Sequence, residues 1–237
     1  MTQQLRIAPE IFEIFPDTQI GIIICEGINN QGENAAVLQA LISAAEQLPA
    51  QITGDPGEHP HIAIWREVYR KFGSKPKKYP SSIENLVRRI LNGYVPSHIN
   101  TLVDLYNLIS IKHLLPVGGE DLDKTQGDIV LATAGDDELP VRLLGENEER
   151  APHGGEVIYK DDLGAICRRW NWKEADRTKL TEATTRAILV IEALPPITLD
   201  QLQIAMNELE QSVKHTTGAA TLSAILNHAS PVIVIEG

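Results

Sequence analysis

Apolar positions recur along the chain with two different spacings. Residues 20–25 form an unbroken apolar run rich in β-branched side chains and closed by Glu26-Gly27, which predicts a buried strand. Between 33 and 48, Val37, Leu38, Leu41, Ile42 and Ala45 fall at helical spacing, and Pro49 is expected to end the helix. A second helix over 61–72 puts Ile62, Trp65, Val68, Tyr69 and Phe72 on one face, with Gly73 as its C-cap. A basic, proline-containing loop at 75–79 leads to a third helix over 83–91, capped by Ser81 or Ser82. Asn100 caps a fourth helix over 101–115, apolar round most of its circumference and therefore expected to be buried. Residues 116–121 (Pro-Val-Gly-Gly-Glu-Asp) read as a turn.

Beyond residue 121 the spacing changes. Short strand-like runs at 128–132, 141–144, 156–160, 165–169 and 187–191 alternate with acidic, glycine-rich turns. Pro195-Pro196 opens a linker to an amphipathic helix over 199–213, and 231–235 reads as an edge strand. Helices first, strands after and one closing helix predict an α+β fold around a single mixed sheet flanked by helices. With 237 residues and 43% hydrophobic content, the chain can bury a sizeable core, and one domain over 1–237 is expected.

Charge changes the picture more than composition does. A net charge of -11 argues against a surface that binds nucleic acid everywhere, yet the basic residues form two islands. Residues 66–89 carry Arg66, Arg70, Lys71, Lys75, Lys77, Lys78, Arg88 and Arg89 against Glu67 and Glu84. Residues 168–179 carry Arg168, Arg169, Lys173, Arg177 and Lys179 against Glu174 and Asp176. Such islands suit contact with a limited part of an anionic partner, or else form solvated faces. No apolar run is long enough to span a bilayer, and MTQQLRIAPE has no basic region followed by an apolar stretch. Cys25 and Cys167 each sit in an apolar stretch and read as buried thiols, so a cytoplasmic protein is expected.

The chain contains no G-x-S-x-G, P-loop or H-E-x-x-H signature. His59 and His61, separated by a proline, have no established ligand geometry, and neither metal nor cofactor is expected. Asp161-Asp162-Leu163-Gly164 reads as a hairpin turn. Residues 167–173 (Cys-Arg-Arg-Trp-Asn-Trp-Lys) place two tryptophans and two arginines at a strand end. They could stack on bases and grip phosphates. They could equally anchor the loop through a tryptophan, with the arginines paired to local acids.

Residues 100–107 (Asn-Thr-Leu-Val-Asp-Leu-Tyr-Asn) and the helix on to Pro116 resemble the N-N-V-V-D-I-T-N stretch of the B3/B4 editing domain of the phenylalanyl-tRNA synthetase beta subunit. Pro116 falls at the proline of that family's Q-P-L-H-A-F-D turn. Gly164-Ala165-Ile166, followed by residues 180–185 (Leu-Thr-Glu-Ala-Thr-Thr), resembles its later strand and T-E-A-T element at similar spacing. The likeness spans about 62–195, with the N-terminal strand and helix and the C-terminal helix packing on it. Residues 168–172 look like the stand-alone members, and the chain has no room for the other synthetase parts.

The resemblance implies a pocket between two lobes, where the synthetase hydrolyses wrongly attached tyrosine from phenylalanine tRNA. By this likeness the chain is a trans-editing hydrolase that deacylates mischarged aminoacyl-tRNA. An aminoacyl ester is already activated, so a positioned water suffices without a protein nucleophile or cofactor. The alternative is a non-catalytic tRNA- or amino-acid-binding module. The amino-acid moiety would meet Asn100, Asp104, Asn107, Gly118, Gly119 and Glu120, together with Glu156, Glu174 and Asp176. The acceptor end of the tRNA would meet Arg66, Arg70, Lys77, Lys78, Arg168 and Arg169, together with Trp170, Trp172, Lys173 and Arg177. Gly118 stands where the family has its turn histidine, and Tyr106-Asn107 replaces its Thr-Asn pair, so only the asparagine carries over. The motifs specify neither the amino acid, the tRNA nor an oligomeric state.

Overall fold

The apolar run at 20–25 lies at the centre of the molecule. In the computed structural model, which describes residues 2–235, chain order begins β1 (Gln3–Ile7), α1 (Pro9–Ile14), β2 (Gln19–Glu26), α2 (Ala35–Gln51), α3 (Pro60–Lys71), α4 (Ser82–Leu91) and α5 (Thr101–His113). It continues with β3 (Val117–Asp121), β4 (Ile129–Thr133), β5 (Val141–Arg142), β6 (Glu149–Arg150), β7 (Val157–Asp161), β8 (Gly164–Arg168) and β9 (Lys173–Glu174). The chain closes with β10 (Arg186–Ala193), α6 (Leu199–Thr217), β11 (Ala220–Leu226) and β12 (Val232–Ile235).

The expected α+β architecture holds, with a mixed sheet flanked by helices. Its six strands run in the order β12-β1-β4-β7-β8-β9, and only the β1–β4 pairing is parallel. A second, four-stranded antiparallel sheet, β11-β2-β10-β3, is separate from it, where the strand pattern predicted one sheet. The two sheets face each other. Ile20, Ile22 and Ile24 of β2 pack with Leu5, Ile129, Leu131 and Ile166 of the mixed sheet. The alternate residues Ile23 and Cys25 pack with α5 and α6 on the other side. A strand covered on both faces needs apolar side chains on both, which is why its run is unbroken.

The helices follow the periodicity closely. Asn100 accepts from the Val103 N–H and Ser81 from the Glu84 N–H, each meeting an orphan donor of a first turn. α5 stops short of the expected end because Leu114 turns left-handed, at φ 53°. Pro49 does not terminate α2, which continues to Gln51. It sits in the last turn, where the lost N–H costs one bond of a fraying end.

Residues 116–121 correct the sequence reading. All but Pro116 form the strand β3, paired with β10 in the register Gly119 to Leu189. Neither Gly118 nor Gly119 has a positive φ. Their value is close approach: a Cβ on Gly119 would lie 2.5 Å from Leu189 Cδ2, and one on Gly118 2.9 Å from Glu174 Oε1. No helix among the described residues is long and apolar enough to cross a membrane.

Candidate functional site

Between the facing sheets lies a cavity of about 250 Å3. Leu5, Ile129 and Ile166 give it an apolar wall from the mixed sheet, and Ile188 and Val190 a second from β10. β3, an edge of one sheet, and β9, an edge of the other, come together along its lining, where Glu174 is only half-buried. There Glu174 of β9 comes against β3, its Oε1 lying 2.9 Å from where a Cβ on Gly118 would stand.

Three carboxyl groups face this space. Glu120 is buried on β3, and its Oε2 has no hydrogen-bond partner. Burial, and then the charge of Glu174, hold its pKa well above the ordinary range. Glu174 is pushed up to about 7 by desolvation. The pair therefore retains at least one proton near neutrality. Neither forms an ion pair among the described residues, since the neighbouring Arg177 is held by Asp161 at 2.9 and 2.5 Å. Glu192, deeper in the wall, accepts from the Tyr159 hydroxyl at 2.6 Å and from the Trp170 indole N–H. Burial raises its pKa to about 8. Cys167 also lines the cavity, and burial keeps it a thiol.

Of the residues expected around the amino acid, Asn107, Gly118, Gly119, Glu120 and Glu174 line this cavity. Asn100, Asp104, Glu156 and Asp176 are outside its lining. Asn100 caps α5 and donates to the Leu180 carbonyl at 3.1 Å, while Asn30 bonds both Asn100 and the Thr181 carbonyl. The 100–107 and 180–185 segments thus meet in space. Asp104 accepts from the Ile99 N–H and lies 2.6 Å from His98 Nδ1. Asp176 pairs with Arg142 and Lys179 at the surface. Sequence reasoning passed over Glu192, although a lone carboxylate inside an apolar strand is itself a signal.

The 168–172 motif takes its loop-anchoring alternative. Arg168 is 3% exposed and grips Glu156 through two bonds of 2.9 and 2.8 Å. Trp170 is 1% exposed and packs edge-on to Phe15 and Trp65 in the core, so it offers no face to a base. The cause is local: Arg169 and Trp170 are left-handed, at φ 50° and 64°, which turns both side chains inward. The Trp170 N–H then donates to Val157 O at 2.6 Å, and Asn171 O accepts from Ser82 N–H of α4. Lys173 pairs with Glu146, Arg177 with Asp161, and Arg66 with the buried Glu84. Trp172 is half-buried against Tyr79. Arg70, Lys77 and Lys78 are exposed and form no ion pair among the described residues. No group of three or more His, Cys, Asp or Glu among the described residues could hold a metal ion.

No curated protein matches the chain. Its backbone is similar to the crystal structure of an N-terminal fragment of the phenylalanyl-tRNA synthetase beta-subunit from Pyrococcus horikoshii, with a TM-score of 0.48 at 11% identity. That match covers 93% of this chain and 53% of the fragment, so the chain spans about half the fragment's length. The family model described as the B3/4 domain matches residues 64–230, well over half of the sequence. The chain belongs to the B3/4 domain family.

Proposed function

We propose that this chain is a trans-acting hydrolase of mischarged aminoacyl-tRNA that holds the aminoacyl group in the inter-sheet cavity. The observation that carries the reading is the Glu120/Glu174 pair. Two carboxyl groups facing an apolar space, with no cation of their own among the described residues, lack the partner that a buried charge requires. The α-ammonium of an aminoacyl group supplies it, while Ile129, Ile166 and Val190 receive an apolar side chain. Ammonium binding releases the proton that the pair retains. The ester then lies beside half-buried Glu174, where solvent reaches its carbonyl. Its own activation leaves the protein to orient a water rather than provide a nucleophile. The protonated Cys167 fits that division of labour.

A second reading, a binding module that holds the aminoacyl group without cleaving it, draws on the cavity's lack of a histidine among its lining residues. One experiment separates the two. Purified protein is offered a broad panel of mischarged aminoacyl-tRNAs at low salt, and ester loss is followed with time. Deacylation of at least one member, slowed in Glu120→Gln and Glu174→Gln, is expected. Failure to deacylate any member refutes the hydrolase, and saturable affinity without turnover then establishes the module.

A further inference from the structure

On the far side of Trp172, beneath the loop joining α3 to α4, is a second cavity of about 250 Å3, lined by Ser74, Lys75, Lys78, Tyr79, His153 and Arg169 among others. Arg169 is 4% exposed, and its Nη1 has no hydrogen-bond partner. The Tyr79 and Trp172 rings, 3.7 and 4.5 Å from its Cζ, fix the guanidinium plane and leave its N–H edges as the groups to be satisfied. The buried Ser74 hydroxyl is likewise without a partner. Glu156, the one carboxylate in the lining, is already committed. It takes both bonds from Arg168, one from the Arg169 N–H and one from the His153 N–H. It comes only within 3.6 Å of Arg169 Nη2.

The positive charge is therefore in local excess. Lys75 and Lys78 flank the cavity without an ion pair among the described residues, and Arg70, Lys71 and Lys77 nearby are in the same position. On a chain of net charge -11, acids to neutralise them are abundant elsewhere. A fixed guanidinium edge, the ammonium groups of two exposed lysines and a hydroxyl donor together match a tetrahedral, oxygen-rich anion. We infer that this cavity is a phosphate-binding site, held by Arg169, Lys75, Lys78 and Ser74. That the phosphate belongs to an RNA strand rests on the proposed function: Trp172 lines the inter-sheet cavity and packs against Arg169 and Tyr79 of this one, so a strand could engage both.

The test uses the whole protein and three probes in low-salt calorimetry: inorganic phosphate, adenosine monophosphate and an uncharged CCA trinucleotide. Lys75 and Lys78 are exposed, so Lys75→Ala/Lys78→Ala leaves the fold intact, whereas Arg169→Met also disturbs a buried turn. We expect phosphate binding that the double lysine variant weakens about tenfold or more, with Lys124→Ala, an exposed lysine elsewhere, unchanged. Trinucleotide binding with the same lysine dependence identifies RNA as the source. Binding of inorganic phosphate alone identifies a free phosphate, and either result supports the site. No binding at millimolar phosphate, or binding indifferent to the two lysines, overturns it. Because no aminoacyl group is present, this outcome is independent of the deacylation panel.

Discussion

Replacing Glu192 by glutamine keeps the shape of the cavity wall and removes a titration. The glutamate is 2% exposed, accepts from the Tyr159 hydroxyl at 2.6 Å and from the Trp170 indole, and has a pKa raised from 4.5 to about 8 by burial. A carboxyl raised in the folded state binds its proton more tightly there than when unfolded. Its contribution to stability is fully present below 4.5 and drains away as pH rises through about 8. Each pH unit in that window is worth about 1.4 kcal/mol, so by pH 7 the wild type has lost roughly 3 kcal/mol that glutamine keeps. Glutamine's oxygen can still accept from Trp170, and its amide can donate to the Tyr159 oxygen. The assay is urea denaturation of both proteins at pH 5 and pH 8. Glu120 and Glu174 titrate in both, so they drop out of the difference between them. The variant should gain on the wild type by several kcal/mol across that range. A difference that stays flat with pH, or a wild type that gains as pH rises, refutes the reasoning: Glu192 would then be ionised throughout.

The affinity for a free amino acid should rise as pH increases through about 7, because the ammonium needs the carboxylate form of the Glu120/Glu174 pair, and calorimetry should find this dependence flattened in Glu174→Gln. Gly119→Ala should lower stability by about 1–3 kcal/mol in thermal denaturation, since its Cβ would meet Leu189 at 2.5 Å and the Ile188 carbonyl at 3.0 Å. Gly118→Ala, in extended backbone with only the Glu174 carboxylate to displace, should fold within about 1 kcal/mol of wild type yet weaken amino-acid binding. Glu156→Ala strands the buried Arg168 and should cost about 3–5 kcal/mol by chemical denaturation.

How much was legible in the sequence depended on whether a residue's role was set by its neighbours in the chain. Asn100 and Ser81 act on N–H groups three residues away, so both caps could be read directly. The unbroken run of β2 discloses burial on both faces but not that two different layers cover them, which is why the pattern predicts one sheet where the described residues form two large ones and the two-stranded β5-β6 ribbon. β1 and β11 leave little pattern to read, because QQLRI is short and ATLSAIL mixes small and polar residues. Glycine at 118 and 119 suggested a turn, yet the reason for it lies in Leu189 and Glu174, far along the chain. The same holds for Arg168: only the fold brings Glu156 against it and converts a surface-like motif into a buried clamp. The sequence motifs point to Glu120 and Glu174, but their mutual proximity, which sets their chemistry, is a property of two sheet edges meeting.

Those edges carry a consequence for solubility. An unpaired strand edge is a template on which another chain can add a strand, and glycine-rich β3 has no bulky side chain to prevent it. Here the Thr178 carbonyl accepts from the Asp121 N–H at 2.8 Å and Glu174 of the facing sheet lies against Gly118, so an intruding strand would have to displace both. Glu174, proposed above to hold an ammonium group, thus also stands beside a strand edge, and a substitution chosen only to probe binding there should be checked for aggregation as well.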